Sequence, residues 1–188
     1  APAYLGILDY EKPGQVVDAL LKLGFSEVRE TAEGAAYVTE AYTKLLEAGQ
    51  MKNIISTCCP SVNELVEKYY PELAEDMAPV VSPMVAHGKL IKAMYGPDVK
   101  VVFIGPCIAK KQEAEGDDRT TGFVDAVLNF EEVESWLQER DISIRECEEK
   151  QPTNPDPKVN RLYPVTSGVI SSVLAKKKVD SYKKIFVD

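Results

Sequence analysis

The sequence has no surplus of basic residues: 22 lysines and arginines stand against 30 aspartates and glutamates, for a net charge of -8 at pH 7. Without excess cations a surface cannot replace the counterions of a nucleic acid, which argues against a general nucleic-acid partner. No apolar run approaches the ~20 residues needed to span a bilayer and no signal-like segment opens the chain, so a cytoplasmic protein with no membrane partner is expected. Histidine occurs once. That residue, His87, has no cysteine nearby at ligand spacing, so it reads as a packing or surface residue rather than a metal ligand. Only four cysteines are present. Cys58 and Cys59 are adjacent while Cys107 and Cys147 stand alone, a pattern unlike the dense framework of small secreted domains; reduced thiols or metal ligands are expected instead. Internal repeats and low-complexity segments are absent as well.

What is present is enough for a packed core. With 188 residues and 45% hydrophobic content, the chain makes one domain or two small lobes sharing a core. Its first residue, Ala1, suggests a piece of something longer. Tyr4 to Leu8 reads as a short strand, Pro13 to Leu23 as a helix stopped by Gly24, and Glu27 to Arg29 as a weak strand. Apolar positions Tyr37, Val38, Ala41, Tyr42, Leu45 and Leu46 repeat with helical spacing, and a strand over 51–56 follows. This β-α-β-α-β alternation predicts a parallel sheet flanked by helices, an α/β fold. Further on come a helix after Pro60 that Pro71 stops, a helix from Ser82-Pro83-Met84 to Tyr95, and a strand over 100–104. A strand over 122–128 leads to a helix whose Asn129 and Glu132 make a capping-box start. Ile142 and Ile144 suggest a short strand, with Cys147 beyond it as a structural residue. The segment 151–157 is a proline-rich loop, 166–176 a helix and 185–187 a last strand. Lys176-Lys177-Lys178 and Lys183-Lys184 read as a solvated face.

Ser56-Thr57-Cys58-Cys59-Pro60 is the stretch that folding alone explains least. A helix start carries unpaired N–H groups and partial positive charge, so a cysteine there tends toward the thiolate, and Pro60 suits the first helical position. Two buried thiols serving as small hydrophobes are the alternative. A matching setting recurs at Gly105-Pro106-Cys107, again after a strand. If the two strands are near neighbours in one sheet, Cys58, Cys59 and Cys107 meet at its carboxyl edge. Lys110 and Glu113 follow Cys107 at helical spacing and share its face, either to stabilise an anionic ligand and pass protons or as an ordinary surface pair.

Ser-Thr-Cys-Cys-Pro at 56–60 resembles the first motif of iron-only (FeFe) hydrogenases, and Pro106-Cys107-x-x-Lys110-x-x-Glu113 matches the core of their second. The resemblance extends over residues 1–46, the Ser82-Pro83-Met84 helix, Val124-Asp125-Ala126-Val127-Leu128 and Thr166-Ser167-Gly168-Val169. It implies part of the two-lobed catalytic domain of that family. It further implies Cys59 and Cys107 as ligands of a 4Fe-4S cluster, Cys58 as a proton-relay thiol beside a diiron centre, Lys110 as a donor to a cyanide ligand of that centre, and Glu113 on the proton path.

Three departures shape the functional expectation. Val62 stands where the first motif has tryptophan and Gly105 where the second has methionine. The third, glycine-rich motif with two more cysteines is missing, since no cysteine follows Gly168. The chain is therefore expected to be one hydrogenase-like domain, 1–188, cut from a longer multidomain protein. That parent carries the 4Fe-4S cluster and a diiron centre, neither of them intact in this piece. The changed motif neighbours resemble those of hydrogenase-like domains in bacterial signalling proteins. Hydrogen or redox sensing beside ferredoxin-type, sensor or phosphatase modules of the same parent chain is the expected role. A working hydrogenase and a cluster-free interaction module are the alternatives.

Overall fold

The computed structural model describes residues 1–116, 120–154 and 158–174. Seven helices are formed among them: α1 (Gly14–Lys22), α2 (Ala32–Ala48), α3 (Pro60–Tyr69), α4 (Pro83–Tyr95), α5 (Ala109–Gly116), α6 (Phe130–Glu139) and α7 (Gly168–Leu174). Two strands, β1 (Val102–Ile104) and β2 (Ala126–Leu128), pair in parallel with Phe103 opposite Val127. The fold is α/β.

Local chemistry sets most helix boundaries. Ser82 caps α4 by accepting the Val85 N–H, and Pro83 occupies its first turn. Asn129 and Glu132 form the full capping box of α6. Gly24 and Gly49 take positive φ where α1 and α2 end. Apolar faces then assemble three clusters. Val16, Ala19 and Leu20 of α1 pack with Val133 and Leu137 of α6 and with Cys147, the structural thiol. Met84 and Val85 pack with Val101 and Val127 around the sheet. Val38 and Tyr42 of α2 pack with Ala78 and Val173, and Cys58 sits against this third cluster.

Several expected strands are not strands. Residues 4–6 belong to a 3-10 turn, Pro2–Gly6, that starts on the fixed φ of Pro2, and residues 7 and 8 close it as the Ile7 and Leu8 N–H groups donate to Tyr4 O. The stretch 27–29 spends its hydrogen bonds elsewhere. Val28 O accepts the Thr153 N–H, and Glu30 exchanges both backbone groups with the Asn154 side chain at 2.9 Å each. Of 51–56 only Ile55 pairs, as a single parallel bridge to Met77. Residues 144–146 form a 3-10 turn, and the strand expected over 122–128 shortens to β2. The helix expected over 166–176 is described as α7, from 168 to 174. Residues 155–157 of the proline loop, the two lysine runs and the strand at 185–187 lie outside the described residues.

A buried polar network backs the α2–α4 pairing. His87 is buried and its Nε2 lies 3.0 Å from Glu33 Oε2, which also accepts from Asn154 and from Arg29. Burial pushes the imidazole pKa down against the pull of Glu33, so His87 is a packing residue. Arg161 pairs with the buried Glu30 carboxylate.

The two helices cross so closely at Gly34 that a Cβ there would lie 2.3 Å from Pro83 O and 2.6 Å from His87 Cβ. Gly34→Ala is expected to lower stability by about 1–3 kcal/mol, read from the denaturant midpoint. Gly6→Ala, where a Cβ meets nothing within 4 Å, should leave the midpoint nearly unchanged; equal shifts would refute the close approach.

Candidate functional site

The first cysteine loop is held from inside. Thr57 is buried; its N–H donates to the Tyr42 hydroxyl at 2.9 Å, and its Oγ1 lies 2.6 Å from Val80 O and 3.0 Å from Ala78 O. Asn63 Nδ2 donates to Thr57 O at 3.1 Å, while Asn63 Oδ1 is buried with no hydrogen-bond partner among the described residues. Cys58 is half-buried, and its thiol reaches the Tyr42 hydroxyl at 3.9 Å. Cys59 is the exposed N-cap residue of α3; its carbonyl accepts the Val62 and Asn63 N–H groups, each at 3.1 Å.

The second loop leaves β1 through Gly105-Pro106. Cys107 is half-buried, and its carbonyl accepts the Lys110 N–H at 3.2 Å as α5 begins. Lys110 turns back across the gap between the loops. Its Nζ donates to Cys58 O at 3.0 Å and to Glu113 Oε2 at 2.6 Å, with the lysine and glutamate side chains only 11% and 8% exposed. Cys58, Lys110 and Glu113 thus meet. Cys59 and Cys107 are free thiols at the starts of α3 and α5, two helices in contact. Neighbouring strands of one sheet are not what joins the loops: the Ile55 bridge is separate from the β1–β2 sheet, and the Lys110 contacts supply the link.

Burial is the largest influence on the Cys58 thiol and pushes its pKa up. Hydrogen bonds from Ser56 and Tyr42 and the charge of Lys110 oppose it, and Glu113 adds to it. The loop therefore keeps Cys58 protonated against the thiolate tendency of a helix start. Burial likewise raises the Tyr42 hydroxyl, with the nearby Cys58 contributing. Tyr42 escapes sequence reading because its spacing marks a core residue of α2; nothing in the pattern shows that the hydroxyl at its tip anchors the thiol loop.

A family model for the iron-only hydrogenase large subunit, C-terminal domain, matches residues 1–186. The chain belongs to this family. Two relatives are iron hydrogenase 1 of Clostridium pasteurianum, 27% identical over 88% of this chain, and the periplasmic Fe hydrogenase large subunit of Nitratidesulfovibrio vulgaris, 30% identical over 86%. The chain spans 32% and 43% of their respective lengths. The FeFe hydrogenase of Chlamydomonas reinhardtii superposes in its apo form with a TM-score of 0.62 at 27% identity, covering 82% of this chain and 43% of that one. No helix among the described residues is long and apolar enough to cross a membrane.

The family implies iron-sulfur chemistry, and the donors here fit it only in part. Among the described residues no group of three or more His, Cys, Asp and Glu side chains is arranged to hold a metal ion. Cys58 faces Tyr42 and Cys147 is buried against α1 and α6, which leaves Cys59 and Cys107 as the available thiols. A 4Fe-4S cluster takes four cysteine ligands. This chain's own residues do not complete that set.

Alkylation follows the thiolate fraction, so it reports the raised Cys58 pKa. With Cys59, Cys107 and Cys147 replaced by serine, the pH profile of iodoacetamide labelling should inflect above the ordinary thiol range. Tyr42→Phe, which removes a hydrogen bond that favours the thiolate, should move the inflection higher still. An inflection at or below the ordinary value would contradict the buried placement. Lys110→Met strands the Glu113 carboxylate and should cost about 3–5 kcal/mol in chemical denaturation, largely recovered by adding Glu113→Gln.

Proposed function

We propose that this chain is the thiol-bearing half of a hydrogenase-type iron-sulfur site and that its full-length protein uses the site to sense hydrogen or redox state. The observation that carries the reading is the Lys110 ammonium spanning Cys58 O and Glu113 Oε2, because it sets the two cysteine loops at one place with a buried cation between them. Cys59 and Cys107 supply two cluster ligands, and the remaining ligands come from outside the residues of this chain. An ammonium has three N–H donors. Two are engaged by Cys58 and Glu113, and the third serves an anionic ligand of the bound group. Cys58, kept protonated by burial, holds a proton at Sγ beside that group, and Glu113 fixes the lysine and exchanges protons with it.

Sensing is favoured over turnover by the surroundings of the two loops. Where the family motif has methionine, Gly105 leaves no room for a side chain: a Cβ would lie 2.8 Å from the Phe103 ring. Val62 replaces the motif tryptophan on a half-open face of α3. Both changes remove large side chains that shape a diiron pocket. The listening partners are ferredoxin-type, sensor or phosphatase modules of the same parent chain, in the cytoplasm. A catalytic hydrogenase, an oxidoreductase interconverting protons and hydrogen, is the second reading; the meeting of Cys58, Lys110 and Glu113 favours it.

Anaerobic reconstitution of the full-length protein tests both. Cubane absorption and EPR signals are expected in the parent and should weaken strongly in Cys59→Ala and in Cys107→Ala. Unchanged iron content in both variants would remove the ligand assignment and leave a cluster-free interaction module. Hydrogen evolution at hydrogenase rates after maturation, lost in Cys58→Ala, would replace the sensor by the catalyst.

A further inference from the structure

Helix α2 carries two buried hydroxyl anchors about one turn apart, and they reach different segments. Tyr42 holds the first cysteine loop: its hydroxyl accepts the Thr57 N–H at 2.9 Å and donates to Ser56 Oγ at 3.2 Å. Thr39, fully buried, holds the turn Lys158–Leu162 and the residue after it. Its Oγ1 lies 2.9 Å from the Tyr163 hydroxyl and 3.3 Å from Asn160 Oδ1. Positions 39 and 42 are neighbours on the surface of one helix, so the two anchors do not shift independently.

The Thr39 end has a choice built into it. A threonine hydroxyl has one hydrogen to donate. Two acceptors stand within reach, Ala35 O on α2 itself at 2.8 Å and Asn160 Oδ1 on the turn at 3.3 Å. With the hydrogen on Ala35 O, Tyr163 ties the turn to α2 by donating its own proton to Thr39 Oγ1. With the hydrogen on Asn160 Oδ1, the turn gains a second tie and α2 loses the internal one. Back-bonding from threonine to the carbonyl four residues earlier bends a helix, so the two arrangements differ in the shape of α2 just before Tyr42.

Packing joins the same groups. Cys58, Tyr163 and Val169 of α7 all lie against the cluster of Val38, Tyr42, Ala78 and Val173. The turn and α7 behave as one unit, since a Cβ on Gly168 would overlap Leu162 O. Leaving a buried hydroxyl unpaired is costly, so these ties hold as long as both segments stay in place.

We infer that α2 is a linkage between the first cysteine loop and the unit formed by the turn and α7. Thr39 and Tyr42 are its two ends, Tyr163 is a positioning residue that acts on the loop through Thr39, and a displacement on either side is felt on the other. The linkage itself needs no metal. Only its use rests on the proposed sensing role, for which it supplies the element that reads the state of the thiol loop.

Hydrogen exchange on the metal-free full chain tests it at three amides: Thr57, Gly168, which donates to Val165 O at 2.8 Å, and Val133 of α6 as the reference for global unfolding. Tyr163→Phe removes one hydroxyl and should speed exchange at Thr57 roughly 5-fold or more relative to Val133. Tyr42→Phe should do the same at Gly168, because coupling between two sites is reciprocal. In Thr39→Val, which keeps the side-chain shape and loses the hydroxyl, Tyr163→Phe should add nothing further at Thr57. Asn160→Ala, at a half-buried position, should act in the same direction as Tyr163→Phe and takes its place if that variant fails to fold. Equal changes at Thr57 and Val133 would make Tyr163 a source of general stability and overturn the linkage. An undiminished effect of Tyr163→Phe in Thr39→Val would place the coupling in direct packing and overturn it too. Reconstitution of the full-length protein with iron and sulfide separates the linkage from its use: Gly168 exchange unmoved by loading, with the variants still coupled, would remove the sensing role and leave the linkage standing.

Discussion

The arrangement depends on one buried cation. Two loops that arrive by different routes, one after the Ile55 bridge and one after β1, have no shared ladder to hold them in register. Lys110 supplies the register by donating to the Cys58 carbonyl and to Glu113 at once. A charge this enclosed is tolerable only when its partners are fixed, and both are: Glu113 stands one turn along the same helix, and Cys58 O is set by the Thr57 anchors. Movement of any of these groups would expose or strand a charge, so the loops move together or not at all. Helix α5 packs against both α3 and β2, which ties the helices that follow the two loops to one another and to the sheet.

How much of this the sequence discloses depends on the range of the interactions involved. The Asn129–Glu132 capping box, the Ser82 cap and the helical stripe of α2 are legible because their causes lie within a few residues. The strands expected at 4–8, 27–29 and 142–144 carry suitable side chains, yet a strand exists only with a partner, and the partner's place is a long-range fact. For 27–29 the competitor was specific: the Asn154 side chain, more than a hundred residues away, took the Glu30 backbone groups. At the site, the helical spacing from Cys107 through Lys110 to Glu113 is readable and holds. The reach of Lys110 to Cys58 O is not readable, since 52 residues separate them. Tyr42 is legible as core and illegible as an anchor.

The adjacency of Cys58 and Cys59 is the last physical point, and it explains how neighbouring cysteines can do different things. In extended backbone successive side chains point to opposite sides, and Cys59 has extended angles, φ -104 and ψ 112. One thiol must therefore face inward when the other faces out. Cys58 turns to the cluster of Val38, Tyr42 and Ala78, where burial keeps its proton; Cys59 turns to solvent at the open start of α3. A doublet where extended backbone enters α3 thus buries one thiol and exposes the other by geometry alone. A single intervening residue would send both thiols to the same side and end the division between a buried thiol and an exposed one.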